Sequence, residues 1–327
     1  MAVITYREAV RQALREELAN DERVYLIGED IAEFGGSMKV TQGLFDEFGP
    51  KRVRNTPISE MATMGVAVGS AATGLRPIVE IMYSDFFGMA MDQVFNQAAK
   101  MRYMFGGKLS MPLTIRAPMG GRRSAAAHHS QCLEAWFMHI PGIKIAMPSN
   151  PYDAKGLLKT AVRDPNTVIF FENKMLYSMK GEVPEGPYFG RFGEANLARE
   201  GSDVTVVAVS DMVGYSLNAA ESLAAEGISV EVIDPRTIAP LDIETILTSV
   251  KKTGRLVIAH EANLTCGIGA EIAAQVGYRA FDFLQAPIER VAAKDSPVPF
   301  APVLEREILP DSDDVVCAVR RVIDYAG

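Results

Sequence analysis

Glu60 is the acidic residue whose surroundings in the sequence are most unusual. It closes the segment TPISE, and the residues Met61–Leu75 that follow it carry no charged side chain. A carboxyl group in apolar surroundings has a raised pKa, so it can share a proton with a nitrogen base. The alternative is an ordinary N-cap or interface carboxylate, which is the commoner role for such a residue.

A histidine pair is the second candidate for chemistry. His128 and His129 follow a loop rich in Gly, Arg and Ala, and they precede a predicted helix. Histidine exchanges protons near neutral pH. Neighbouring side chains in extended backbone point in opposite directions, so at most one of the two is expected to be catalytic, and ordinary loop polarity remains the alternative. Cys132 lies nearby, but a small apolar core residue is a better interpretation than a nucleophile.

Other motifs are weak. The segment CGIGAE at 266–271 contains a GxG, but the complete dinucleotide-binding pattern is missing, so we interpret these glycines as packing at the start of a helix. The sequence contains no Walker loop, no metal-ligand spacing and no nucleophile elbow around a serine.

Composition limits the class of protein. The chain has 327 residues, 48% of them hydrophobic and 23% charged, which is typical of a globular protein with two domains. A net charge of -8 without basic blocks argues against nucleic acid or an anionic membrane as a partner. The charged, helical N-terminus does not resemble a signal peptide, and three cysteines favour a reducing compartment, so we expect a cytoplasmic protein.

Strands and helices are predicted to alternate, which indicates parallel sheets covered by helices. Thr5 and Glu8 have the spacing of a capping box before a helix, and KRVRNTPISE is predicted to be a strand that delivers Glu60 to its carboxyl end. MDQVFNQAAKMRYMFG is predicted to be one long helix. We predict an α/β domain over 1–180, a linker rich in Pro and Gly over 181–200, and a second α/β domain over 201–327.

Longer segments carry a resemblance to a known family. TPISE before an apolar helix, GLRPIVEIMYSDFFGMAMDQVFNQ, HHSQCLEAWFMHIPGIKIAMPSNPYDAKGLL and DVTVVAVSDMVGYSLNAAESLAAEGISVEVIDPRTIAPLDIETI occur in one order. Over essentially the whole chain, the sequence resembles the β subunit of the thiamine diphosphate-dependent E1 component of 2-oxo acid dehydrogenase complexes. The resemblance implies a transketolase-like pyrimidine-binding domain followed by a transketolase C-terminal-like domain.

The resemblance also implies a cofactor and roles for residues. Glu60 matches the glutamate that hydrogen-bonds N1′ of the aminopyrimidine ring of thiamine diphosphate. Phe86 and Met89 match positions beside the pyrimidine, and His129 matches the histidine that faces the substrate and the lipoyl group. Many relatives have Gln where this chain has His128, and a polar residue is usual at Met89. An α subunit is expected to supply most of the site for magnesium and the diphosphate.

A potassium ion is the second cation that the resemblance implies. Some family members bind it through main-chain oxygens and an Asp and an Asn around the turn RDPN. The matching residues in this chain are Leu113, Ala161, Val162, Asp164 and Asn166. Oxygen donors suit a hard cation, although Asp-Pro-Asn also forms a plain turn.

Substrate and partners are further expectations from the resemblance. We expect an α2β2 heterotetramer that serves a lipoyl-bearing E2 acyltransferase, with pyruvate or acetoin as the substrate. Alternatives are a branched-chain E1 β subunit, half of a split transketolase-like enzyme that acts on sugar phosphates, and a non-catalytic assembly subunit. The sugar-phosphate enzyme would need a cluster of phosphate-binding Arg and His residues, which the sequence does not reveal.

Overall fold

The computed structural model describes residues 1–326, and these residues form two compact units. The first unit comprises Met1–Met119 and Trp136–Phe192, and the second comprises Gly120–Ala135 and the chain from Gly193 onwards. This division differs from the predicted domain boundaries, because the loop with the histidine pair packs with the second unit. The predicted linker also contains regular structure, since it overlaps two short strands, Lys180–Val183 and Asn196–Arg199.

The first unit is built on a parallel sheet. Its strands follow the order β6-β7-β5-β4-β2-β3, and β1 pairs separately with β8 in antiparallel fashion. The parallel sheet predicted from the alternating pattern is confirmed. The strands of this unit are β1 (Ala2–Thr5), β2 (Val24–Gly28), β3 (Val53–Asn55), β4 (Arg76–Glu80), β5 (Thr114–Met119), β6 (Lys144–Ala146), β7 (Val168–Asn173) and β8 (Lys180–Val183).

Helices cover this sheet, and the first of them begins as predicted. The hydroxyl of Thr5 accepts a hydrogen bond from the Glu8 amide at 3.2 Å, and Val10, Leu14 and Leu18 are buried on one face. The helices up to residue 163 are α1 (Tyr6–Asn20), α2 (Leu44–Phe48), α3 (Glu60–Ala72), α4 (Phe87–Asp92), α5 (Met101–Met104), α6 (Glu134–Met138) and α7 (Pro151–Arg163).

The prediction of one long helix over MDQVFNQAAKMRYMFG is wrong, because the structure divides this part of the chain into three helical pieces. A turn of π-helix over Gln93–Ala98 separates α4 from α5. The Ala99 amide donates to the carbonyl of Val94 at 3.1 Å, five residues back, which is the π-type spacing. The spacing of apolar residues in the sequence does not distinguish a turn of π-helix from an α-helix.

The second unit has its own sheet in the order β14-β13-β10-β11-β9, in which β9 alone is antiparallel to its neighbour. Val206, Val232 and Val257 form part of its buried core. Its elements are β9 (Asn196–Arg199), β10 (Val204–Ala208), α8 (Met212–Ala224), β11 (Val230–Asp234), β12 (Thr237–Ala239), α9 (Ile243–Thr253), β13 (Leu256–Asn263), α10 (Ile268–Arg279), β14 (Glu289–Ala293), α11 (Pro302–Ile308) and α12 (Ser312–Ile323).

Within residues 1–326, no helix is both long enough and apolar enough to span a bilayer.

Candidate active site

Glu60 is the first residue of α3, at the carboxyl edge of the first sheet. β3 ends at Asn55, and the next amide, that of Thr56, donates to the carbonyl of Gly28 at the end of β2, at 3.0 Å. The side chain of Ser59 at the N-cap makes no capping hydrogen bond. Glu60 is half-buried, and its carboxyl group lies in the first turn of α3, at the positive end of the helix dipole. The predicted strand over KRVRNTPISE is therefore too long: β3 ends at Asn55, and Glu60 does not end the strand but begins α3 at the same edge of the sheet.

Glu29 is a second carboxyl group at this edge, and the sequence analysis missed it. It directly follows β2, the neighbour of β3. Burial raises the pKa of Glu29, and the nearby carboxylates of Glu60 and Asp30 raise it further. Its position after a predicted strand could have identified it, because adjacent parallel strands end at the same edge of a sheet.

The outer face of α3 is apolar and exposed. Met61 and Val66 expose 56% and 54% of their surface, and the small residues Ala62, Gly65 and Gly69 between them are also exposed. The Gly and Ala content of the uncharged run Met61–Leu75 is typical of a helix packed closely inside a protein, which predicts that both faces of α3 are buried. That expectation is wrong for this face, although Thr63, Met64, Ala67, Val68 and Ala71 are buried on the opposite face as expected.

Phe86 and Met89 lie on elements next to α3. Phe86 is half-buried at the end of a 3-10 turn, Ser84–Phe86, and Met89 follows in α4 with 65% of its surface exposed. Because α3 packs against α4, the carboxyl of Glu60 and these two side chains belong to neighbouring elements of one unit. An acid, an aromatic ring and an uncharged side chain are groups that fit an aminopyrimidine ring.

His129 belongs to the second unit, in the loop Gly120–Ala135. It is half-buried, whereas His128 is exposed. A cavity of about 640 Å³ in this unit is lined by His128, Cys132, Glu261 and Asp295, among others. Cys132 is only half-buried, so the interpretation as a core residue holds in part.

The predicted potassium residues lie around one turn of the first unit. Leu113 comes just before β5, and its carbonyl accepts from the Val168 amide of the neighbouring strand β7 at 2.9 Å. The other four lie at the end of α7 and in the turn that follows: Ala161, Val162, Asp164 and Asn166.

Several oxygens of this turn already have protein donors. Arg76 donates to the carbonyl of Val162 at 2.8 Å, Lys144 lies 2.5 Å from the carboxylate of Asp164, and Arg102 donates to the side chain of Asn166 at 2.8 Å. Each main-chain carbonyl retains a second lone pair. The carbonyl oxygens therefore fit a cation better than the two side chains do.

The glycines of CGIGAE make room for a buried histidine. α10 begins at Ile268 after Gly267, which confirms the predicted helix start. A Cβ atom on Gly267 would lie 2.5 Å from Cε1 of His260, and one on Gly269 would lie 2.8 Å from its Nε2. These glycines therefore serve packing against His260. Among residues 1–326, no three or more His, Cys, Asp and Glu side chains are arranged to hold a metal ion.

Comparison with known proteins agrees with this architecture. Residues 2–180 match the family described as "Transketolase, pyrimidine binding domain", and residues 193–315 match "Transketolase, C-terminal domain". A solved structure described as "Split gene transketolase, inactive beta4 tetramer" superposes with a TM-score of 0.80 at 25% identity, over 98% of both chains.

Two relatives that match nearly the whole of this chain define its family more closely. The acetoin:2,6-dichlorophenolindophenol oxidoreductase subunit beta of Bacillus subtilis (strain 168) is 50% identical over 96% of this chain and 95% of the relative. The pyruvate dehydrogenase E1 component subunit beta of Rhizobium meliloti (strain 1021) is also 50% identical, over 98% of this chain and 70% of the relative. The chain therefore belongs to the transketolase-like enzymes and, within them, to the β subunits of thiamine diphosphate-dependent E1 components.

Proposed function

We propose that this chain is the β half of an E1 enzyme that acts on pyruvate or acetoin and passes the acyl group to a lipoyl group. The observation that carries the proposal is the position of Glu60 at the head of the exposed apolar face of α3. An ordinary carboxylate at a helix N-terminus gives no reason for Met61 and Val66 to be exposed beside it. A carboxylate that contacts a cofactor beneath a partner subunit does, because the partner would cover these side chains.

Glu60 is the proposed proton-holding group. Thiamine diphosphate, when bound, supplies the carbon that attacks the substrate carbonyl. Glu60 would hold a proton at N1′ of the aminopyrimidine, and Phe86 would offer its ring to the face of the pyrimidine. Burial and the charges of Glu60 and Asp30 raise the pKa of Glu29, so Glu29 releases its proton less readily than an exposed glutamate does. Met89 would cover the ring with an uncharged side chain.

His129 is the proposed proton carrier toward substrate and lipoyl group. Imidazole groups exchange protons readily, so His129 could donate a proton to a developing oxyanion or accept one from a thiol. His128 is exposed, and we assign it no proton transfer. The family's usual Gln at that position suggests an effect on substrate preference.

The proposed assembly is an α2β2 heterotetramer. The α subunit would supply the magnesium and diphosphate site, and a lipoyl-bearing E2 acyltransferase would accept the acyl group. The word "subunit" in the names of both relatives supports a partner chain. We also propose a cytoplasmic location, which the odd number of cysteines, three, supports.

Two alternative substrates stay open to measurement. A branched-chain 2-oxo acid would require a larger pocket, shared with the α subunit. A sugar phosphate is favoured only by the likeness to the split transketolase. Turnover of pyruvate, acetoin, 3-methyl-2-oxobutanoate and a ketose phosphate by the reconstituted α/β enzyme separates these cases.

The decisive experiment is calorimetry of thiamine diphosphate with magnesium. We expect binding only when the β chain is mixed with its α chain, and at least about tenfold weaker binding with Glu60→Gln, since the hydrogen bond to N1′ is lost. Glu22→Gln is the matched control, because Glu22 is an exposed carboxylate that precedes β2 at the opposite edge of the sheet. Unchanged binding by Glu60→Gln in an assembled mixture would leave Glu60 as an ordinary carboxylate in the first turn of α3.

A further inference from the structure

The sheet of the second unit has a point where the connections between its strands change direction. The chain leaves β10 through α8 toward β11 on one side, and it leaves β13 through α10 toward β14 on the other side. Parallel α/β sheets open a crevice between the carboxyl ends of two such strands, and ligands of this architecture bind there. In this unit the crevice lies between the ends of β10 and β13.

Two buried carboxyl groups lie at this crevice, one after each strand. Ala208 of β10 pairs with Ala259 of β13, and Asp211 and Glu261 follow these two residues closely in the sequence. Asp211 and Glu261 are 4% and 5% exposed. Buried carboxyl groups need hydrogen-bond donors or cations as partners. The crevice therefore suits a group that is positively charged and donates hydrogen bonds.

The group that contacts both acids comes from the loop Gly120–Ala135, which also carries His129. The Gly121 amide donates to Oε1 of Glu261 at 2.5 Å, and Nε of the next residue, Arg122, lies 3.6 Å from Oδ2 of Asp211. Two successive residues of the loop thus contact one acid from each side of the crevice. A segment of the same chain occupies the position where a ligand is expected.

Arg122 makes three further contacts within the second unit. Its Nη2 donates to the carbonyl of Pro310 and reaches the sulfur of Met212 at 3.9 Å, and its guanidinium carbon lies 4.5 Å from the ring centre of Tyr215. The Arg122 side chain is only 13% exposed as a result. A planar guanidinium can contact several partners at once in this way, whereas the compact ammonium group of lysine cannot.

The backbone of the loop is held in an unusual conformation next to these contacts. Arg122, Ser124 and Ala126 adopt φ values of +63°, +50° and +61°, the left-handed region that side chains disfavour. Such conformations persist only when the surroundings hold them in place. The Ser124 amide also donates to Oε2 of the buried Glu305 at 3.2 Å. The start of the segment that leads to His129 is therefore anchored.

We propose that the crevice of the second sheet binds Gly121 and Arg122 as an internal ligand, and that Arg122 is a positioning residue for His129. The role given to His129 is the part of this inference that rests on the proposed function. The His129 amide donates to the carbonyl of Ala126 at 3.3 Å, so a turn of the anchored loop carries the imidazole. Loss of the Arg122 contacts releases the start of the loop, and the imidazole then spends less time where it can transfer a proton.

The first test is hydrogen exchange of the assembled α/β enzyme that carries Arg122→Met, which keeps the length of the side chain and removes the guanidinium. Exchange of the segment 120–135 is expected to rise by about tenfold or more, while exchange of β10 and β13 stays within about twofold of wild type. Arg320→Met is the matched control, because Arg320 is a half-exposed arginine of the same unit that pairs with Glu226. It should exchange like wild type in the segment 120–135.

The second test asks whether Arg122 acts through His129. Arg122→Met is expected to lower kcat for acyl transfer to lipoamide by about tenfold or more, with less than about a twofold change in the KM of the substrate. In the His129→Ala background, the same substitution should change kcat by less than about twofold, because residues that act as a unit are not additive. A role in stability alone would lower kcat by the same factor in both backgrounds.

Three results would overturn the proposal. Unchanged exchange of the segment 120–135 in Arg122→Met would mean that the crevice does not hold the loop. Faster exchange over the whole second unit would identify Arg122 as a residue that stabilises the fold in general. Equal losses of kcat in the two backgrounds would show that Arg122 does not act through His129.

A second variant covers the case in which Arg122→Met fails to fold. Arg122→Lys keeps the charge beside Asp211 but cannot contact Asp211, Pro310 and Tyr215 together. We expect it to lower kcat at least about threefold, and less than about twofold in the His129→Ala background, whereas wild-type kcat and exchange would contradict the proposal. If His129→Ala itself leaves acyl transfer unchanged, the role of His129 in the proposed function is wrong, and the exchange of segment 120–135 alone decides whether the loop is an internal ligand.

Discussion

Arg116 donates two parallel hydrogen bonds to Glu172 inside the first unit, from Nε to Oε1 at 2.6 Å and from Nη2 to Oε2 at 2.8 Å. Its Nη1 donates to Glu80 at 2.7 Å, so the guanidinium joins three neighbouring strands. All three side chains are almost completely buried. Two carboxyl groups share one guanidinium, and burial raises the pKa of Glu80.

This arrangement predicts unequal effects of removing its members. Arg116→Met should lower the free energy of unfolding by about 3–5 kcal/mol, because it leaves buried carboxyl groups without a cation. Glu80→Gln should cost less than about 1 kcal/mol, because the amide oxygen can still accept the hydrogen bond from Nη1 of Arg116. Urea unfolding near pH 7 measures both losses. Equal losses would mean that the charge of Glu80, and not only its oxygen, stabilises the fold.

Much of the fold is predictable from sequence because it depends on local patterns. The alternation of apolar strands with helices determines the parallel sheets, and the Thr5 hydroxyl determines where α1 begins. The place of Glu60 before a helix follows from the same logic, since the uncharged run begins at Met61, although the predicted strand KRVRNTPISE is longer than β3, which ends at Asn55. These signals lie within a few residues of the feature they predict.

The features that were missed depend on distant residues. Gly121 is held by Glu261, which is 140 positions away in the sequence, and no local pattern joins them. The histidine loop packs with the second unit for this reason. The break at Gln93–Ala98 leaves the apolar pattern intact, so periodicity cannot reveal it. The exposed face of α3 was misjudged because an apolar helix face has the same composition whether this chain or another one covers it.

A charge on that face should prevent assembly without unfolding the β chain. Val66 is 54% exposed, so Val66→Asp removes little packing within the chain. An unpaired carboxylate buried under the α subunit carries a large desolvation cost. We expect no α2β2 species in light scattering coupled to size-exclusion chromatography, and an unfolding temperature within about 3 °C of wild type, since surface substitutions are usually mild.

The matched control is Ser222→Asp, which adds the same charge to an exposed position of α8 in the second unit. It should assemble normally. Assembly of Val66→Asp with the α chain would mean that α3 lies outside the subunit interface.

Potassium should stabilise the β chain if the turn after α7 binds it. At equal ionic strength, replacement of sodium by potassium is expected to raise the unfolding temperature by about 2–4 °C, because a ligand of the native state stabilises it by mass action. The carbonyls of Leu113, Ala161 and Val162 would provide the ligands, so Asn166→Ala should reduce the gain only partly. Equal unfolding temperatures in potassium, sodium and choline would mean that the turn after α7 binds no potassium ion.

His260 should make the second unit sensitive to acid. It is fully buried in β13, and burial lowers its pKa to about 4, whereas an unfolded histidine titrates near 6.5. A lowered histidine pKa means that its contribution is complete above about pH 6.5 and is lost as the pH falls toward 4. By linkage this loss amounts to about 3 kcal/mol at most.

Glu134 acts in the opposite direction over an overlapping range, so variants are needed to separate the two groups. Burial raises the pKa of Glu134 to about 7, so its contribution is complete below about pH 4.5 and is lost as the pH rises toward 7. Urea unfolding at about pH 4.5 and pH 7 should show that His260→Leu is less acid-sensitive than wild type and that Glu134→Gln is more so. If His260→Leu keeps the wild-type difference between the two pH values, the imidazole does not titrate in this range, and other groups must account for the acid sensitivity.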